Sequence, residues 1–262
     1  ATAVLNGTVG AADYMRFELK DVTLDGGTNG LTVKAENETE SYAGGAIGHG
    51  TGGEVRNVSV EHLLSSRAVS AAGGFAGYFG SGKLADIGGV NLLGANLVKI
   101  DGLLSVGAMI ETFTRNCSVA GVDTGFTVST TAKDGMSGGF IGECISGRTG
   151  TSSVTNLKAV TASMEEGKAG GFIGYAKAGD ALASAGTSVK ALSAVEITNL
   201  LGVVSALRPE LNQTKLIYVA NGSENTQVQA DMAGGFIGDG EAVDINYGSN
   251  HPSTSKNSDT TE

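Results

Sequence analysis

Ala169-Gly170-Gly171-Phe172-Ile173-Gly174 recurs letter for letter at residues 233–238. Near copies stand at residues 43–48 (AGGAIG), 72–77 (AGGFAG) and 137–142 (SGGFIG), and a worn one at 105–110 (SVGAMI). Their starts lie 29, 33, 32, 32 and 64 residues apart. Repetition at a period of about 20–50 residues marks a solenoid or array, in which each unit buries its apolar face against the next.

A second phrase alternates with the first. It reads Val/Ile-x-Asn-x-x-Val and stands at residues 55–60 (VRNVSV), 114–119 (TRNCSV), 154–159 (VTNLKA) and 197–202 (ITNLLG). Residues 19–24 (LKDVTL) carry Asp21 in the Asn place, and residues 85–90 (ADIGGV) are a weak version. Period-two alternation between clusters of Gly, Asn, Asp and Ser reads as a short strand. Short strands at this spacing, with no regular helix between them, predict an all-β chain. The expected architecture is a right-handed parallel β-helix of about six irregular coils with lateral insertions.

The phrases also predict what stacks. Gly-Gly permits a close approach or bend at a corner where a Cβ would clash. Phe75, Phe140, Phe172 and Phe236 should then form one apolar ladder, with Ala46 and Ala108 as weaker members. Asn57, Asn116, Asn156 and Asn199 should form an amide ladder, since Asn tolerates left-handed backbone at a turn. The 64-residue gap is either two coils or one coil with two excursions, the first at residues 175–196. Residues 1–18 read as a cap or leading strand, 19–247 as the repeats and 248–262 as a Ser/Thr-rich linker or tail.

Composition supports stacked backbone over a deep core. The chain has 42 Gly, 2 Pro, no Trp and 5% aromatic residues, while 40% hydrophobic content argues against disorder. Its net charge is −10 and its 17 basic residues are scattered along the sequence. Nucleic acid and anionic membranes are therefore poor partners. No apolar run reaches the roughly 18 residues of a membrane span. No signal peptide is visible, and the chain begins mid-pattern, as a piece of something longer would. Cys117 and Cys144 read as small buried hydrophobes, with a disulfide as the alternative in an extracellular setting. His49, His62 and His251 are not spaced as zinc ligands.

At this point the residues carry a resemblance. The GGFIG/GGFAG phrases, alternating with VxNxxV strands across roughly residues 19–247, resemble the GLUG-motif repeats. Those occur in large secreted and wall-anchored bacterial proteins, among them adhesin-like surface proteins and the non-catalytic part of metallopeptidases that cleave immunoglobulin A. The resemblance implies an extracellular bacterial surface setting. It implies no activity, and the HExxH zinc motif of the peptidases is absent from this sequence.

Candidate chemistry is thin. Asp231, Asp239, Glu241 and Asp244 form the best acidic cluster, with Glu165–Glu166 second; acids on one face serve glycan-cleaving β-helices. Neither cluster recurs from coil to coil, so an acidic rim is the plainer reading. No cofactor is expected. Calcium is the one ion that residues 25–30 (DGGTNG) and 239–244 (DGEAVD) would suit by their oxygens, although neither matches a known calcium loop. Residues 77–83 (GYFGSGK) fail as a phosphate loop, because Leu84 stands where a hydroxyl is needed. Tyr78 and Tyr175 each follow a glycine phrase, and so share a face for stacking on a sugar or for packing at a corner. The candidate ligand-binding residues are thus Tyr78, Tyr175, Asp239 and Glu241. The expected role is that of a non-catalytic surface module or stalk whose partner is a host or matrix glycan or protein. The alternative is a glycan-active β-helix enzyme with an acidic site.

Overall fold

The computed structural model describes residues 17–36, 40–80, 112–177, 209–219, 226–241, 243–246 and 249–250. They form a parallel β-helix of three sheets. Sheet A has eleven strands, and sheets B and C have five each. Every strand pairing is parallel.

Each coil runs through A, then B, then C. The first coil holds β1 (Phe17–Asp25), β2 (Leu31–Ala35), β3 (Tyr42–Gly44) and β4 (Ile47–Thr51). The second holds β5 (Gly53–Ala68), β6 (Ala71–Gly73) and β7 (Ala76–Gly80). The third holds β8 (Phe113–Gly121), β9 (Phe126–Thr130), β10 (Met136–Gly138) and β11 (Ile141–Ile145). The fourth holds β12 (Arg148–Thr161), β13 (Lys168–Gly170) and β14 (Ile173–Lys177). The fifth holds β15 (Glu210–Asn212), β16 (Lys215–Tyr218), β17 (Gln227–Gln229), β18 (Met232–Gly234) and β19 (Ile237–Glu241). β20 (Asp244–Asn246) and β21 (Ser249–Asn250) open a sixth.

The glycine phrase makes the B–C corner. A Cβ on Gly138 would fall 1.8 Å from the Ile141 carbonyl oxygen of its own coil. One on Gly142 would fall 2.7 Å from the carbonyl oxygens of Ala72 and Gly77 in the coil before. Sheets B and C therefore lie backbone on backbone there, with no side-chain layer between them. None of these glycines has a positive φ, so close approach, not backbone freedom, is what demands them.

The Phe that follows points into the core. Phe75, Phe140 and Phe172 are fully buried. Their rings stack at 4.8 and 4.9 Å between centroids, and Phe236 continues the ladder at 5.1 Å. Val55, Val58, Val60, Val119, Val154, Leu157 and Leu216 of sheet A are buried in the same core. Burying one such side chain stabilises by about 1.5–3 kcal/mol.

Three expectations are narrowed or changed. Phe140 stacks directly on Phe75, and β6 pairs with β10, so no coil stands between them. Residues 105–110, with Ala108 among them, lie outside the described residues. Likewise β13 pairs directly with β18, so the 64-residue gap is one coil carrying excursions. The described stack is five coils and the start of another.

The third change concerns asparagine. Asp21, Asn57 and Asn116 do form one column at φ 55°, 54° and 54°, and Asp21 fills the Asn place as expected. Asn57 donates to Asp21 at 2.7 Å and Asn116 to Asn57 at 3.2 Å. The register then puts Thr151 and Gln213 next, at φ 49° and 52°. Asn156 instead makes the following corner of sheet A, at φ 58°, level with His62 at 54°. The one-residue corner at His62 and Asn156 alternates with wider turns in the first and third coils. Those close through Gly30 N–H to Gly27 O and Gly125 N–H to Val122 O. Asn199 lies outside the described residues.

Candidate functional site

The residue after each glycine phrase faces outward from sheet C. Register aligns His49, Tyr78, Glu143, Tyr175 and Asp239 in one column, one per coil. Tyr78 and Tyr175 therefore do share a face, two coils apart, with Glu143 between them. Glu241 lies two residues on from Asp239, in the column of Lys177. All four sequence candidates belong to this stripe.

Their side chains are already engaged. The His49 and Tyr78 rings stack at 4.5 Å and 13°. Tyr42 of sheet B meets both, at 4.9 Å from His49 and 5.8 Å from Tyr78. Tyr175 is 7% exposed. The Lys168 ammonium lies 3.6 Å from the centre of its ring and 3.1 Å from Asp239. The Tyr175 hydroxyl donates to Glu241 at 2.8 Å. The ring faces a sugar would stack upon are thus covered, Tyr78 by His49 and Tyr175 by a cation.

Burial sets the electrostatics. It pushes the phenols of Tyr78 and Tyr175 well above their ordinary range, and for Tyr175 the bond to Glu241 adds to the effect. It lowers His49, against the pull of Glu40. Glu143 is raised, again chiefly by burial, while Lys177 and Lys168 pull it back. Glu143 is thus a carboxyl held toward its neutral form between two tyrosines. Neither it nor Lys168, His49 and Tyr42 was singled out by sequence. The signal was available: Glu143 and His49 stand in the place that drew attention to the tyrosines.

The acidic cluster does not gather at one point. Asp239 and Glu241 face out from sheet C, Asp244 begins β20 in sheet A, and Asp231 lies between β17 and β18. Glu165 and Glu166 meet Lys133 at 3.7 and 2.8 Å. Of the segments considered for calcium, Asp25 accepts from Gly27 N–H at 2.8 Å and pairs with His62 at 2.7 Å. Among the described residues no group of three or more His, Cys, Asp or Glu is placed to hold a metal ion. Cys117 and Cys144 are buried and unbonded, and burial pushes the Cys144 thiol up to about 12. Among the described residues no helix is long and apolar enough to cross a membrane. No family model, curated protein or solved structure matches the chain.

Proposed function

We propose that the chain is a non-catalytic, GLUG-like repeat module of a large bacterial surface or secreted protein. In this reading it is an extracellular stalk that also contributes to adhesion, through contact with a host or matrix glycan or protein. One observation carries the proposal. The candidate binding side chains on sheet C, Tyr78, Tyr175, Asp239 and Glu241, are engaged in ring stacking, a cation–ring contact, an ion pair and a hydrogen bond that tie coil to coil. An enzyme needs acid and base free to reach substrate. A stalk needs its outer columns to reinforce the stack, as these do.

The test is a glycan, mucin and matrix-protein array probed with the purified chain, with calcium and with chelator, beside a polysaccharide turnover panel. Saturable binding without turnover is expected. Turnover that falls on Glu143→Gln would move the assignment to a glycan-active enzyme. Silence on every surface would leave a spacer.

A further inference from the structure

Register sets two columns side by side across the B–C corner. Sheet B contributes Tyr42, Ala71, Met136, Lys168 and Met232. Sheet C contributes His49, Tyr78, Glu143, Tyr175 and Asp239, in the same coil order. In the fourth coil this corner holds a cation. The Lys168 ammonium lies 3.6 Å from the centre of the Tyr175 ring in its own coil, and 3.1 Å from Asp239 in the next. Ring and carboxylate come from sheet C, one coil apart, and the ammonium reaches both from sheet B.

The same two groups recur two coils earlier. Tyr78 stands in the place of Tyr175, and Glu143 in that of Asp239. The place of Lys168 is taken by Ala71, whose side chain ends at Cβ. His49 stacks on Tyr78 from the first-coil side, so the other face of that ring looks toward Glu143. Glu143 is half-buried, and among the described residues no hydrogen bond or ion pair reaches its carboxylate. Lys177 and Lys168 pull on it from a distance, but Lys168 is held by Asp239 and Tyr175. Asp134 and Glu40 push the other way, together with burial. Glu143 also acts on the phenols of Tyr42 and Tyr78. An ammonium seated beside Tyr78 would meet ring and carboxylate at once, and an opposite charge that close favours the ionised carboxylate.

We propose that Tyr78 and Glu143 bind an alkylammonium group, the end of a lysine side chain on a protein partner, in the arrangement that Lys168 makes with Tyr175 and Asp239. The next acid along the column is Asp239, already paired with Lys168. The site therefore takes a single charge, which suits one lysine and not a polyamine. This deepens the adhesion reading and rests on it, with a lysine-bearing protein as the partner.

The experiment follows the tyrosine ring resonances of the intact chain as n-butylammonium, n-butanol, spermidine and a blocked lysine peptide are added in turn. Saturable shifts at Tyr78 are expected with butylammonium and with the peptide, and none with butanol, which matches the alkyl arm without the charge. Glu143→Gln should weaken binding about tenfold. Its melting should match the parent, since the carboxylate has no bonded partner to lose. Lys168→Ala puts at Tyr175 what Ala71 puts at Tyr78, so the Tyr175 ring should then respond to butylammonium as well. An unmoved Tyr78, a shift indifferent to Glu143→Gln, or a Tyr175 that stays silent in Lys168→Ala overturns the site. Tighter binding of spermidine than of the peptide overturns the lysine reading. A protein or glycan found on the array whose binding survives Glu143→Gln overturns this inference and leaves the adhesion reading standing. Silence on every surface removes the adhesion reading and the lysine partner with it.

Discussion

Sheets B and C and sheet A solve the same stacking problem in opposite ways. In B and C the register repeats without a shift along the five described coils, and the strands touch through backbone. In sheet A the register slips at several pairs, corners alternate between one residue and a wider turn, and outer columns mix charges, amides and hydroxyls. Where there is no room, sequence is held to six letters. Where there is room, side chains vary.

Glycine replacement should break this contrast most sharply. A Cβ on Gly171 would fall 2.2 Å from the Gly235 carbonyl oxygen and 2.8 Å from Leu216. Gly171→Val should cost more than about 4 kcal/mol or abolish cooperative melting. Gly150, in sheet A, has only the Thr114 oxygen at 3.7 Å from such a Cβ, so Gly150→Ala should lie within about 0.5 kcal/mol of the parent in urea unfolding. Equal losses at the two sites would refute the difference.

Next comes the phenyl ladder. Phe140→Ala leaves a hole between two stacked rings and should cost about 3–5 kcal/mol. Phe236→Ala, at the half-buried end, should cost less. A smaller effect belongs to sheet A's tight corner. Asn116→Ala puts an unsuited residue at φ 54° and removes the bond to Asn57, for a loss of about 1–2 kcal/mol. Asn116→Gly should recover much of it.

The smallest effect is pH-dependent. Asp25 is held below the usual carboxylate range, by its bond from Gly27 first and by His62 second. His62 is raised by the bond to Asp25. A raised histidine contributes fully below its unfolded pKa of about 6.5, and a depressed carboxylate fully above its own, about 4. Their joint contribution is thus greatest between those values. It fades as pH rises through the raised histidine pKa or falls through the lowered carboxylate pKa. Melting of His62→Gln against pH should lose the decline on the alkaline side while the parent keeps it.

The architecture was legible because Gly and Phe in the tight corner leave one solution. The count of about six coils was legible from the spacing of the phrases, and the described stack is five coils and the start of another. The asparagine column was legible for Asp21, Asn57 and Asn116, but failed at Asn156. Left-handed backbone serves two corners of sheet A, and the motif alone does not say which. The site was half legible. Tyr78, Tyr175, Asp239 and Glu241 do share a stripe, yet their ring stacking and ion pairing depend on His49 and Lys168 from other coils.

The account stands most directly on which coils touch. Nuclear Overhauser spectra of protein labelled in its phenylalanine rings would read that contact. Cross-peaks should link Phe75 to Phe140, Phe140 to Phe172 and Phe172 to Phe236, with none between Phe75 and Phe172. A missing Phe75–Phe140 peak, or a direct Phe75–Phe172 peak, would contradict the stack.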